Sequence, residues 1–113
     1  MSVLARYNMS GKVALLSGAG RGIGAASALA LAEAGADIAV MARSVDQLEN
    51  VAAQARSMGR RAIAVPCDAN NAEDVSAAVQ RTVDELGRID TVISVVGGSM
   101  PQPFMNTSDK DLR

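Results

Sequence analysis

The chain has 113 residues, which accommodates one domain with a modest core. A net charge of -1 and an aromatic content of 2% argue against nucleic acid as a partner, because both the basic footprint and the stacking platforms are missing. With one cysteine, no histidine, no apolar run of membrane-spanning length and no secretory layout in residues 1–10, neither a metal site nor a membrane partner is expected, and the location expected is cytoplasmic.

The first predicted element is a strand over 13–17, an apolar run closed by Ser17. Ser17-Gly18-Ala19-Gly20-Arg21-Gly22-Ile23-Gly24 follows at once, and a helix opens near Gly22. Strands are then predicted over 37–42, 61–67 and 89–96, each a short β-branched or alanine-rich run of the kind buried on both faces. The stretches between them carry helical spacing and stop at Gly35, Gly59 and Gly87, residues suited to closing a helix. In the third helix Val75, Val79, Val83 and Leu86 recur at steps of four and three, which predicts that they share the buried face. Arg56, Arg60 and Arg61, near the end of the second helix, are read as solvated charge favourable to its dipole and nothing more. Cys67 is read as a small buried residue at a strand end.

The order β-α-β-α-β-α-β defines an α/β chain: a partial Rossmann-type, doubly wound parallel sheet. Right-handed crossovers place the first two helices on one face and the third on the other, which predicts the strand order 3-2-1-4. Strand order reverses between the first and fourth strands. The crevice outside their carboxyl ends is where an open α/β sheet takes its ligand, and the glycine loop falls there. Unpaired N–H groups and the peptide dipoles at the helix start favour a phosphate. Gly18, Gly22 and Gly24 would allow the tight turn, the approach of the phosphates and close helix-to-strand packing.

These residues resemble the N-terminal, cofactor-binding half of the classical short-chain dehydrogenase/reductase family, whose nucleotide loop reads TGxxxGIG. Here Ser17 replaces the threonine and keeps a hydroxyl. Gly11-Lys12-Val13-Ala14 is similar to the family's lead into its first strand, and Cys67-Asp68 to the third-strand end whose aspartate contacts adenine. The resemblance covers essentially the whole chain. It implies a cofactor site made of Ser17, Gly18, Gly20, Arg21, Gly22, Ile23 and Gly24, with Asp68 and Ala69 after the third strand and Val96 and Gly97 after the fourth. One departure stands out: where the family carries NNAG, this chain has Ser94-Val95-Val96-Gly97. Ser94 can make one hydrogen bond across the central strands where an asparagine amide makes several.

The end of the second strand bears on cofactor choice. An NAD-preferring dehydrogenase places a carboxylate there for the ribose 2′-hydroxyl, and the matching residue here is Ala42, followed by Arg43 and Ser44. Asp37 has the right distance from the glycines but lies at the wrong end of the strand. A guanidinium with no carboxylate beside it in sequence fits NADP(H), with NAD(H) the weaker alternative. Arg21 would add a second positive group.

In the family, catalysis rests on a serine and a Tyr-xxx-Lys pair. The only tyrosine here is Tyr7, and the residue four beyond it is Gly11, so no catalytic residue is assigned; Ser99 is a serine without a base. Ser108-Asp109-Lys110-Asp111 reads as a capped helix start followed only by Leu112 and Arg113. The expectation is one partial dinucleotide-binding domain over 1–113, truncated at its C-terminal end. The alternative is a short, non-catalytic dinucleotide-binding regulatory module. The resemblance implies a homo-oligomeric parent acting on a small-molecule carbonyl or secondary alcohol, with Met100, Pro101, Pro103, Phe104 and Met105 either lining the substrate or packing on their own domain.

Overall fold

The computed structural model describes residues 8–95. In chain order the elements are β1 (Val13–Ser17), α1 (Gly22–Glu33), β2 (Asp37–Ala42), α2 (Val45–Ser57), β3 (Ala62–Pro66), α3 (Ala72–Leu86) and β4 (Thr91–Ser94). All strand pairs are parallel, and the sheet order is β3-β2-β1-β4, as the crossover rule requires. Register pairs Ser17 with both Met41 and Ser94, and Ala42 with Pro66, so the carboxyl ends of all four strands come level.

Alternation along the strands divides the core into two layers. Ala14, Leu16, Ile38 and Val40 point to one face, where α1 and α2 cover them through Ala28, Ala32, Leu48, Val51 and Ala55. Val13, Leu15, Ala39, Met41 and Val65 point to the other, where α3 packs through Ala78 and Leu86. The inward residues of α1 are Gly24, Ala28 and Ala32, a line of small side chains at steps of four that lets the helix approach the sheet closely. The inward residues of α2, Leu48, Val51, Ala52 and Ala55, follow the usual spacing of one helical face. Among the described residues no helix is long and apolar enough to cross a membrane.

The buried face of α3 differs from expectation. Its fully inward residues are Ala78, Thr82 and Leu86, with Val75 packed at the margin, whereas Val79 and Val83 are 37% and 39% exposed. Ala78 and Thr82 precede Val79 and Val83 by one residue, about 100° around the helix, so the stripe that meets the sheet is centred on the smaller side chains and the two valines fall at its margin. Thr82 tolerates burial because its hydroxyl donates to the Ala78 carbonyl at 2.8 Å. Val92, in register with Leu15, faces the same side as α3 and is 65% exposed. Among the described residues β4 pairs with β1 alone.

The three arginines are also more than solvated charge. Arg56 donates to the Ala62 carbonyl through Nε at 3.1 Å and Nη2 at 2.8 Å. Arg60 Nε reaches the Ala32 carbonyl in the last turn of α1 at 2.8 Å. Arg61 bonds Asp37 at 2.9 Å and the Leu86 carbonyl, at the end of α3, at 3.2 Å. Helix ends leave carbonyls without intrahelical partners, and Arg60 and Arg61 supply donors to those of α1 and α3, while Arg56 serves the first carbonyl of the edge strand β3. Two strands are shorter than expected, β3 starting at Ala62 and β4 at Thr91. Ahead of β4, Asp90 uses its carboxylate to accept from the Val13 N–H at 2.8 Å.

Candidate functional site

The level carboxyl ends of the strands open into a cavity of about 800 Å³. Ser17, Gly18, Gly20, Arg21, Gly22 and Ile23 line one wall, with Arg43, Ser44, Asp68 and Ala69 opposite. Ten residues singled out from the sequence are thus brought together. Gly24 stands behind the wall, and Val96 and Gly97 lie outside the described residues, as do Tyr7, Ser99 and residues 100–105.

The glycines of the loop do three separate jobs. A Cβ on Gly18 would collide with the Val95 carbonyl oxygen, so this residue lets the loop pass under the end of β4. A Cβ on Gly24 would strike the Gly18 carbonyl, which keeps the first turn of α1 pressed against the loop. Gly22 has φ +61° and open space where its Cβ would be, and it faces the cavity. The loop is held by the Ala19 N–H donating to the Met41 carbonyl at 3.1 Å and the Val95 N–H donating to the Ser17 carbonyl at 3.2 Å. Ser17 Oγ donates to Ser94 Oγ at 3.1 Å, so the serine in the family's asparagine position does bridge the two central strands.

The helix starts differ in a way that bears on ligand charge. Ser44 caps α2 by accepting from the Gln47 N–H, and Asn71 caps α3 by accepting from the Glu73 and Asp74 N–H groups. Both helices also carry acidic residues in the first turn, Asp46 in α2 and Glu73 and Asp74 in α3. At α1 the N-cap Arg21 makes no side-chain cap, and the first turn holds no acidic residue. The N–H groups and positive dipole end of α1 are left facing the cavity, an arrangement that suits a phosphate.

Opposite the loop, Arg43 follows Ala42 at the end of β2, and its Nη2 donates to Asp68 Oδ1 at 3.2 Å. The side chains are 73% and 42% exposed. The same Asp68 oxygen accepts from the Asn70 N–H at 2.9 Å. That backbone bond, more than the guanidinium, holds the Asp68 carboxyl below its ordinary value against the opposing effect of desolvation. Asp37 lies at the far end of β2 in its pair with Arg61, away from the cavity. Cys67 is buried in the cavity wall. Desolvation pushes its thiol up, and the Asp74 and Asp68 carboxylates push the same way, so the unreactive protonated form prevails near neutral pH.

Gln47 and Asn70 also line the cavity and were missed from the sequence. Gln47 Oε1 lies 2.8 Å from where a Gly20 Cβ would stand. Both follow a recognisable residue at turn spacing, Gln47 three after the cap Ser44 and Asn70 two after Asp68, and that spacing was the available signal.

A glycine-lined helix start, left without a cap and set at a switch in strand order, characterises dinucleotide folds. Residues 12–113 match the sequence model of the short chain dehydrogenase family, and the chain belongs to that family. It is 42% identical over 110 residues to an uncharacterized oxidoreductase of Mycobacterium tuberculosis, covering 97% of this chain and 42% of the relative. A crystal structure of a short-chain type dehydrogenase/reductase from Mycobacterium marinum superposes with a TM-score of 0.80 at 39% identity, over 96% of this chain and 44% of that one. Carveol dehydrogenase from Mycobacterium avium in complex with NAD superposes with a TM-score of 0.78 at 28% identity, over 92% of this chain and 42% of that one. The chain therefore spans less than half the length of these relatives.

Proposed function

We propose that this chain is the dinucleotide-holding part of an oxidoreductase that transfers hydride between the nicotinamide of NADP(H) and a carbonyl or secondary alcohol. The observation that carries the reading is the start of α1, where Gly22 is open toward the cavity and neither a cap nor an acidic residue competes with an anion. The N–H groups there, with Gly18 and Gly20 keeping the loop low, would hold the pyrophosphate. The NAD held by the carveol dehydrogenase, a structural neighbour, supports a dinucleotide as the ligand. Ala42 and Arg43 favour the 2′-phosphorylated form: β2 ends without a carboxylate, and a guanidinium stands at the cavity rim with Arg21 on the facing wall. Asp68 and Ala69 border the adenine end, and Ser17 and Ser94 tie together the strands beneath. When bound, the nicotinamide gives or takes the hydride; this chain's residues bind and orient the dinucleotide.

Fluorescence titration of NADPH and NADH, with the protein expressed from its complete coding sequence, tests the proposal. Tighter binding of NADPH is expected, by about tenfold for one exposed charge-assisted contact. Ala42→Asp combined with Arg43→Leu should reverse or flatten the preference. Equal affinities in the unmodified protein would overturn the choice of NADP(H), and binding of neither would overturn the dinucleotide reading.

A further inference from the structure

The group that Arg43 would offer to a 2′-phosphate already has an anionic neighbour. Its Nη2 lies 3.2 Å from Asp68 Oδ1, a contact between the ends of β2 and β3 that residues 25 apart in sequence make only because those strands are adjacent. Asp68 is not free to swing aside without loss, since the same oxygen accepts the Asn70 N–H at 2.9 Å. The other side of the arginine is open: 73% of its side chain is exposed, and among the described residues its guanidinium makes no second ion pair.

We infer that Asp68 is a specificity-determining residue of the adenosine end, a fixed carboxylate that competes with a 2′-phosphate for Arg43 and limits the preference for 2′-phosphorylated ligands. Two effects act in the same direction. A phosphate that takes the Nη2 donor must displace the Asp68 oxygen, and one that takes the remaining donors still sits beside a like charge. A ligand with an unmodified 2′-hydroxyl meets neither obstacle. Any contact that Asp68 makes to the adenine ring is common to both ligands and cancels when they are compared. The inference rests on the dinucleotide reading of the cavity, but not on which dinucleotide the protein prefers.

The test is calorimetric titration of adenosine 2′,5′-bisphosphate and 5′-AMP into the protein expressed from its complete coding sequence, as unmodified protein, Asp68→Asn, Arg43→Leu and the double variant. Asparagine keeps an oxygen for the Asn70 N–H and removes the charge. The quantity read is the Kd for 5′-AMP divided by the Kd for the bisphosphate, a ratio taken within one protein and insensitive to a partial loss of folded material. Exposed ion pairs are weak, so Asp68→Asn should raise the ratio about two- to fivefold. In the Arg43→Leu background the same substitution should change it much less. Asp68→Ala, which drops the Asn70 bond as well, should raise the ratio in the same direction. An unchanged or lowered ratio in Asp68→Asn would overturn the inference, whatever the unmodified protein prefers. A ratio near one in the unmodified protein that still rises in an Arg43-dependent way would support the inference while removing the NADP(H) preference. A purely structural role for Asp68 would weaken both nucleotides alike, leave the ratio unmoved and so overturn it too.

Discussion

At the amino end of the sheet, Asp37, Arg60, Arg61 and Asp90 reach across from one element to another and satisfy backbone groups of β1, α1 and α3 and the Arg61 N–H just ahead of β3. At the carboxyl end the corresponding space is bordered by glycines, the uncapped start of α1 and the exposed Arg43–Asp68 ion pair. Both ends face the same problem of unpaired backbone at strand and helix termini. One end solves it with the protein's own side chains. The other does so at α2 and α3, through Ser44 and Asn71, but leaves the N–H groups at the start of α1 open to the cavity.

That division can be broken from the carboxyl side first. Gly22→Val should weaken dinucleotide binding by more than about a hundredfold, because a branched side chain fills the open space before α1 and resists a positive φ. The fold should survive with a loss of about 1–2 kcal/mol, the cost of holding a non-glycine residue in that conformation. Fluorescence titration beside a circular-dichroism melt separates the two effects, and retained binding would place the ligand elsewhere. Gly24→Ala should behave in the opposite sense. Its Cβ meets backbone, so a stability loss of about 2–3 kcal/mol is expected from overpacking, visible in a urea unfolding curve as a lower midpoint.

Substitutions at the amino end should affect stability and leave the ligand alone. Arg60→Met keeps most of the apolar stem but loses the bond to the Ala32 carbonyl, and should lower stability by about 1 kcal/mol with an unchanged dissociation constant for NADPH. A change in affinity as large as that in stability would show that the two ends are not independent. The smallest effect expected is one of pH. The Val13 N–H, with Arg88 and Lys12 adding, holds the Asp90 carboxyl below its ordinary value despite some desolvation. A depressed folded-state pKa contributes stability that is complete above the unfolded value of about 3.9 and is lost as pH falls toward the folded one. Asp90→Asn should therefore melt lower than the unmodified protein at pH 7, and the gap should narrow below about pH 4. A gap that persists unchanged into acid would mean that the charge of Asp90 is immaterial.

Much of this molecule is legible from local rules. Doubly buried strands read as short apolar runs, glycines punctuate the helices, and the hand of a parallel crossover leaves few topologies, so element order and strand order follow from residues near one another in the chain. The glycine loop is legible for the same reason, since its strand, turn and helix start are contiguous from Val13 to Gly24. Helix faces are less so. The valines of α3 were placed inward by spacing alone, yet Val79 and Val83 are half-turned to the surface, because which stripe a helix buries depends on where it lies across the sheet.

The amino-acid sequence by itself determined the αβ order, the parallel sheet and the position of the cavity at the switch between β1 and β4, all of which depend on neighbouring residues and on chirality. Only the tertiary structure decided that Ser17 meets Ser94 across 77 positions, that Arg60 and Arg61 fasten helix ends instead of dissolving in solvent, and that Arg43 faces Asp68. Those contacts join residues from separate strands and helices. A charged or hydroxylated side chain carries no mark of its partner until the sheet sets the two side by side.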